Sequence, residues 1–193
     1  MYDNELVNAV EASGKVINIK TYSGGSQRIT LLIKSGEKIF YPHFFLPKDL
    51  VDNSIEENER VHIKGHLRTY TAKNADGTQT FNKNVTIDEI KEEETLTKQA
   101  FNHKGMFYPE MFTRVYVKGR VAKLTDDGEW YRIVMDLGSN GRPTLSLKKR
   151  PKLPKINVDD KICAVGIITT AKKEYGDTSA TFDTVILQDI AKL

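Results

Sequence analysis

Aromatic and basic residues cluster in several short segments of this 193-residue chain. Lysine and arginine bind the phosphates of nucleic acids, and an exposed ring can stack on a base for ~1–3 kcal/mol. Side chains of both kinds in one groove would bind a single strand with little sequence preference. The candidates in the first half are Lys15, Arg28, Phe40, Tyr41, Phe44, Lys64, Arg68, Tyr70 and Lys73. Those in the second half are Arg120, Trp130, Arg132, Lys148, Lys149, Arg150, Lys172 and Tyr175.

The elements that carry these residues are predicted to be β-strands. Apolar and polar residues alternate with a period of two, as in half-buried strands, and glycine-bearing polar turns separate the segments. In the first half we predict strands at about 8–20, 27–34, 38–45, 60–73 and 79–91. In the second half we predict strands at about 113–124, 129–137, 143–149, 160–172 and 179–190.

The two halves repeat each other. Residues 65–90 and 166–190 both begin with glycine, pass through a polar tip with another glycine, resume at phenylalanine and end on an acid followed by isoleucine. A period near one hundred residues is that of a small domain, too long for a solenoid repeat. We therefore predict two domains, 1–95 and 112–193, joined by a connector over 96–111 with a short helix at 95–103.

The predicted fold class is all-β. Five short antiparallel strands in ~90 residues favour a closed barrel, because closure removes the exposed edges of a sheet. We expect two five-stranded Greek-key barrels in tandem, each of the oligonucleotide/oligosaccharide-binding type (OB-fold). The alternative is a pair of open β-sandwiches.

Two of the candidate groups have a second interpretation. The ring of Phe44 could equally well belong to a hydrophobic cap that closes the end of a barrel, as could that of Phe45, because exposed rings need a reason. The basic run at residues 148–150 is followed by Pro151 and Pro154, which keep it extended. This run could clamp phosphates or could be a solvated loop, and the nearby Trp130 favours the clamp.

The run VHIKGHLRTYTAKNADGTQTFNKNVTIDEI resembles the end of the barrel in bacterial and phage single-stranded-DNA-binding proteins. The family's pattern is matched by Gly65, Leu67, Thr69, Asp76-Gly77 and Phe81. Its opening strand is similar to Asn8, Val10, Gly14, Lys15 and Val16, and to Thr113, Val115, Val117, Gly119, Arg120 and Val121. The resemblance covers most of 8–91 and, more weakly, 113–190. It implies OB-folds that bind single-stranded DNA.

The chain departs from that family at three places. Ala72 stands where the family usually has an aromatic residue, although Tyr70 is close, and the second hairpin has Ile168-Thr169-Thr170 in place of Leu-x-Thr. The family often ends in an acidic tail that recruits partner proteins, whereas this sequence ends in QDIAKL. The resemblance therefore does not imply recruitment through such a tail.

Several other classes of function are not indicated by the sequence. It contains no phosphate-binding GxxxxGK[ST], HExxH, CxxC or GxSxG motif, so we expect neither catalysis, nor a metal, nor a cofactor. With no apolar run near ~18 residues, no membrane span is expected. A single cysteine and no secretion signal indicate a cytoplasmic protein. The second half is the more basic one, with 17 basic and 11 acidic residues over 96–193.

The sequence thus predicts sequence-nonspecific binding of single-stranded DNA in replication, recombination or repair, in a protein of phage or mobile-element type. The mechanism would be base stacking and phosphate tracking across both barrels, with replication or recombination proteins as further partners. The main alternative is an OB-fold accessory subunit of a primase, helicase or polymerase, because fold alone does not establish function. A third possibility is binding of RNA.

One predicted strand of the second barrel has an apolar outer face. Its outward positions are Cys163, Val165 and Ile167, whereas the matching positions of the first barrel are His62, Lys64 and His66. Such a face is not expected to be left in water. We predict that the connector, the first barrel or another chain covers it, the last case giving a homo-oligomer.

Overall fold

Strands make up nearly all of the regular structure in the part of the chain that is described. The computed structural model describes residues 6–51, 54–73, 77–93, 111–175 and 178–193. The strands are β1 (Val7–Thr21), β2 (Gln27–Ser35), β3 (Lys38–Phe40), β4 (His43–Leu46), β5 (Arg60–Lys73), β6 (Gln79–Glu92), β7 (Phe112–Asp127), β8 (Trp130–Asp136), β9 (Thr144–Lys148), β10 (Lys161–Tyr175) and β11 (Thr178–Lys192). Short 3-10 turns lie at Lys48–Leu50 and Gly138–Asn140.

The strands close into two five-stranded circuits. In the first, barrel 1, hydrogen bonds run in the order β1-β2-β4-β6-β5 and back to β1. In the second, barrel 2, they run in the order β7-β8-β9-β11-β10 and back to β7. All pairs in each circuit are antiparallel except β4–β6 and β9–β11, which are parallel. The all-β prediction with OB-folds is confirmed, while the exact bounds 1–95, 96–111 and 112–193 stay a prediction.

The two barrels share one continuous sheet. Strand β1 pairs antiparallel with β7, from Val7 opposite Lys118 to Ser13 opposite Phe112. The strand order β5-β1-β7-β10 therefore forms a central four-stranded sheet that crosses from one barrel to the other. Since backbone hydrogen bonds hold this junction, the barrels are fixed relative to each other.

In each barrel, a polar side chain near the start of the first strand makes two hydrogen bonds to the backbone of one residue on a neighbouring strand. The Asn8 side chain donates to the Leu67 carbonyl at 2.7 Å and accepts from the Leu67 N–H at 2.9 Å. In barrel 2 the Thr113 hydroxyl makes the equivalent pair of bonds with the backbone of Ile168, at 3.2 and 2.9 Å. The β1–β5 ladder begins at Val10 and the β7–β10 ladder at Val115. Just beyond these points, the two side chains supply hydrogen bonds to backbone groups of Leu67 and Ile168 that the ladders do not reach.

The inward positions form an apolar core in each barrel. In β5, Val61, Ile63 and Leu67 are almost fully buried, as are Ile162, Ala164 and Ile168 in β10. This parity is the one that the alternation in the sequence predicts. The predicted strand at 38–45 is instead two strands, because Pro42 cannot donate a ladder hydrogen bond. The Pro42 carbonyl accepts from Leu31 N–H instead, at 3.1 Å.

Candidate nucleic-acid interface

A groove runs over the outside of barrel 1 and ends against barrel 2. It consists of two cavities, of about 450 and 580 Å³, which share four lining residues and are therefore continuous. We define this groove by Tyr22, Arg28, His43, Phe45, Arg68, Tyr70, Lys83, Asn84, Phe182 and Asp183. The first eight belong to barrel 1, and the last two come from β11 of barrel 2.

Aromatic rings from several strands and one turn line this groove. Tyr70 is 47% exposed, Phe182 44% and Tyr22 38%, while Phe45 is half-buried. Tyr22 follows β1, Phe45 lies on β4 and Tyr70 lies near the end of β5. A set of rings that share one open groove provides stacking faces for successive unpaired bases.

The groove also contains three cations, Arg28, Arg68 and Lys83, and no carboxylate among the described residues forms an ion pair with any of them. The Nε atom of Arg28 is buried and has no hydrogen-bond partner there. Lys83 Nζ donates to the Thr144 carbonyl at 2.8 Å. Burial lowers the pKa of Lys83 to about 8, opposed by the negative charge of Asp183 and assisted by the positive charge of Arg132.

Replacing Lys83 with methionine is expected to stabilise the protein near pH 7 by about 1 kcal/mol, because the buried ammonium carries a desolvation cost. The pKa of this group in the unfolded chain is 10.5 and in the folded chain about 8. The unfolded state therefore binds the proton more tightly, and the destabilisation present below about pH 8 disappears as the pH rises to about 10.5. Urea unfolding of both proteins across this range measures the difference.

The control for this test is Lys34→Met, which removes a positive charge from an exposed position of β2. We expect its stability to follow that of the wild type at every pH. A Lys83→Met protein that is less stable than the wild type near pH 7 would contradict the account of a buried, desolvated ammonium.

Reciprocal contacts between the barrels position the far end of the groove. Tyr41 N–H donates to the Thr170 hydroxyl at 3.0 Å, and Arg142 N–H donates to the Thr69 hydroxyl at 3.2 Å. Next to the first contact, His43 donates to Asp183 from its backbone N–H at 2.9 Å and from its ring Nδ1 at 3.1 Å. The β10–β11 hairpin of barrel 2 thus contacts the segment between β3 and β4 of barrel 1. In the same way, the β5–β6 hairpin of barrel 1 contacts the segment before β9 of barrel 2.

The candidates in barrel 2 mostly lie in ion pairs. Arg120 pairs with Asp159 at 3.3 Å and Arg150 pairs with Asp189 at 2.9 Å. The other three basic candidates face the turn between β7 and β8. Arg132 is 3.3 Å from Asp127, Lys149 donates to Asp126, and Lys148 is 4.0 Å from Glu129. The predicted basic clamp is thus largely neutralised within the chain, while Trp130 is half-buried beside Lys148 on β9.

The structure brings three of the barrel 1 candidates together in the groove, namely Arg28, Arg68 and Tyr70. Phe44 is fully buried between Ile29 of β2 and Val85 of β6, so its ring belongs to the core and cannot stack on a base. The expectation for this ring is corrected to the adjacent Phe45, since successive residues of a strand point to opposite faces.

The remaining barrel 1 candidates lie away from the groove lining. Lys64 pairs with Glu89 at 3.3 Å on the outer face of the central sheet. Lys15 is half-buried in β1, Phe40 is half-buried in β3, and Tyr41 is 42% exposed next to it. The side chains of Lys73, Lys172 and Tyr175 lie outside the described residues, as does the predicted helix at 95–103.

Seven of the ten groove residues were not among the sequence candidates, namely Tyr22, His43, Phe45, Lys83, Asn84, Phe182 and Asp183. Lys83 lies on β6 and Phe182 on β11, the second strands of the two hairpins. Alternation alone predicts which face of the strand each side chain is on, but not that it lines a binding groove. Phe182 enters the groove because β11 of barrel 2 extends to β4 of barrel 1, where Asp183 accepts from His43. Lys83 belongs to barrel 1 itself. A signal for Phe182 was present in its match with Phe81, whose side chain is outside the described residues.

Two further findings concern the described part of the chain only. No group of three or more histidine, cysteine, aspartate or glutamate side chains there could hold a metal ion. No helix there is long and apolar enough to cross a membrane.

The fold can be compared with that of known proteins. No model of a protein family matches the sequence, and no curated protein matches it. Among solved structures, a deletion mutant of the single-stranded DNA binding protein from Thermus aquaticus aligns over 97% of this chain and 95% of its own, with a TM-score of 0.64 and 12% identity. The wild-type Thermus aquaticus protein gives 0.62, with 98% and 94% covered and 12% identity.

The chain has the fold of these proteins. The alignment spans nearly the whole of both chains, so it includes both barrels and their junction, not a single barrel alone. At 12% identity it is the fold that is shared, and the function has to be argued from the groove.

Proposed function

We propose that this protein binds single-stranded DNA without sequence specificity, by stacking bases on rings and tracking the phosphate backbone across both barrels. The observation that carries the proposal is the groove of barrel 1, whose lining contains both exposed rings and the cations Arg28, Arg68 and Lys83. The fold shared with the Thermus aquaticus protein, whose name states that it binds single-stranded DNA, supports it.

The biological setting that we propose is DNA replication, recombination or repair, in a protein of phage or mobile-element type. A strand held on both barrels would benefit from effective concentration, because the second contact becomes intramolecular once the first has formed. The fixed junction of β1 with β7 supports such sharing of one strand between the barrels.

The test is a fluorescence-anisotropy titration with labelled dT oligonucleotides, a duplex and an RNA of equal length. Measured at about 50 and about 200 mM salt, binding to dT should weaken steeply with salt, since each phosphate contact releases counterions. The duplex should bind more weakly, because its bases are not free to stack. RNA bound as tightly as dT would redirect the proposal to RNA.

A homo-oligomer is the second part of the proposal. On the outer face of the central sheet, barrel 1 carries the pairs His62–Glu11, Lys64–Glu89 and His66–Asp88. Barrel 2 instead carries Cys163, Val165 and Ile167, of which Val165 is 39% exposed. An apolar hollow of about 270 Å³ beside them includes Val7 and Tyr116. We propose that a second copy of the chain covers this face, because a patch of this kind can pack against itself around a two-fold axis.

Replacing Val165 with aspartate is expected to convert an oligomeric wild type into a monomer of 21.9 kDa. The introduced carboxylate would have to be buried without a partner in the interface, whereas in the monomer it is exposed to water. Light scattering after size exclusion measures the mass. Lys64→Ala, at the matching position of barrel 1, should leave the oligomer intact, and a monomeric wild type would contradict this part of the proposal.

The alternative function, an accessory subunit of a primase, helicase or polymerase, rests on the same apolar face. If the wild type is monomeric and binds no oligonucleotide, a protein partner on Val165 and Ile167 becomes the better explanation. Oligomerisation through this face combined with binding of dT would favour the first proposal.

A further inference from the structure

Arg28 and Arg132 occupy the same position in the two barrels. Arg28 lies on β2 opposite Phe45 of β4, and Arg132 lies on β8 opposite Ser146 of β9. The next pair inward is Ile29–Phe44 in barrel 1 and Ile133–Leu145 in barrel 2, and these four residues are buried in both cores. The two guanidinium groups can therefore be compared directly.

The guanidinium of Arg132 already has partners within barrel 2. Its Nη1 donates to the Ser146 hydroxyl at 2.8 Å, and its Nε donates to Asp127 at 3.3 Å. The turn that supplies Asp127 also supplies Asp126, which accepts from Lys149. This acidic turn, residues 126–129, thus neutralises several cations of barrel 2.

Among the residues that the structure describes, the guanidinium of Arg28 has neither a hydroxyl nor a carboxylate partner. The turn before β2, at residues 22–26, has the sequence YSGGS and contains no acid. The residue opposite Arg28 is Phe45, whose ring has no oxygen to accept a hydrogen bond. The buried Nε of Arg28 accordingly has no partner among the residues described. A guanidinium binds an oxyanion through paired hydrogen bonds, and phosphate suits it well.

The surroundings of Arg28 favour an anionic ligand from outside the chain. Lys83 lines the same cavity and donates to a backbone carbonyl, not to a carboxylate. Asp183, the one carboxylate that the described residues contribute to the cavity lining, accepts two hydrogen bonds from His43. Tyr70, 47% exposed in the same lining, is a face on which a base next to the phosphate can stack.

We propose that Arg28 is the main phosphate contact of the protein, and that the acidic turn at 126–129 keeps the matching Arg132 from this role. A strand therefore binds barrel 1 first, at the end of the groove that meets barrel 2, and the two similar barrels contribute unequally. This inference rests on the proposed binding of single-stranded DNA.

The experiment compares Arg28→Ala with Arg132→Ala in anisotropy titrations with a labelled dT oligonucleotide over a range of salt. We expect Arg28→Ala to weaken binding by about 10- to 100-fold and to reduce the salt slope by about 1. Arg132→Ala should weaken binding by no more than about threefold, because its charge is already neutralised. Thermal unfolding of both variants separates loss of binding from loss of structure.

The reciprocal variant carries Asp126→Asn and Asp127→Asn. It releases Lys149 and Arg132 without removing a cation, so we expect binding to strengthen by about three- to tenfold and the salt slope to increase. If Arg28→Ala and Arg132→Ala weaken binding equally, or if the acidic turn has no effect, this inference is overturned while the proposed function stands. A wild type that does not bind dT at low salt overturns the proposed function and this inference with it.

Discussion

Replacing Gly65 with alanine is expected to lower the free energy of unfolding by about 3 kcal/mol. A Cβ atom at this position would lie 2.2 Å from the carbonyl oxygen of Thr86, a backbone atom of the neighbouring strand β6. The pairing of β5 with β6 shifts register between Lys64 and Gly65, which brings the two backbones together at this point. The clash can be relieved only by moving a strand of the closed barrel, and chemical denaturation measures the loss.

Barrel 2 offers a second copy of this test. A Cβ atom at Gly166 would lie 2.5 Å from the carbonyl oxygen of Ile186, again next to a register shift. We expect Gly166→Ala to destabilise the protein to a similar extent. The control is Gly24→Ala in the turn before β2, where the added atom meets nothing within 4 Å, so stability should stay within ~0.5 kcal/mol. Equal stability of Gly65→Ala and Gly24→Ala would contradict the described approach of β5 to β6.

Replacing Phe44 with alanine should destabilise the protein by about 3–5 kcal/mol, because its fully buried ring fills the core of barrel 1. Replacing the adjacent Phe45 should instead affect DNA binding more than stability, because this ring is only half-buried. Its ring lines both cavities of the groove, so Phe45→Ala should weaken dT binding by about 5- to 150-fold, the equivalent of ~1–3 kcal/mol of stacking. Unfolding and anisotropy titrations on both variants provide the comparison.

A milder substitution gives the matched control for Phe44. Barrel 2 has Leu145 at the equivalent position, opposite Ile133 as Phe44 is opposite Ile29. Phe44→Leu should therefore keep more stability than Phe44→Ala and should bind dT like the wild type. Weak binding by a folded Phe44→Leu, with normal binding by Phe45→Ala, would contradict the assignment of these two rings.

Much of the fold could be predicted from the sequence, because apolar and polar residues alternate along stretches such as those of β5 and β10. In β5 and β10, the inward residues Ile63 and Ile162 are buried as the period of two requires. The repeat of hairpin length also predicted that β10–β11 corresponds to β5–β6. The strand at 38–45 was predicted as one element because nothing in its aromatic run, apart from Pro42, indicates a break.

The site was harder to predict, because its contacts depend on pairing between distant segments. The basic run at 148–150 gives no sign by itself that Lys149 will face Asp126. That contact forms because β8 brings the acidic turn next to the end of β9. Lys83 and Phe182 meet in one cavity only through the junction of β1 with β7 and the hairpins that reach across it. Alternation assigns a side chain to a face, and the joining of the two barrels decides what that face meets.

The most direct test of the central claim is the affinity of the wild type for dT oligonucleotides of increasing length, from about 5 to about 60 nucleotides. At low salt we expect binding of the shortest strands to be weak and affinity to rise steeply with length until one strand spans both barrels. Beyond that length, the affinity per chain should level off. No binding of any length at low salt would contradict the proposal that these two joined barrels bind single-stranded DNA.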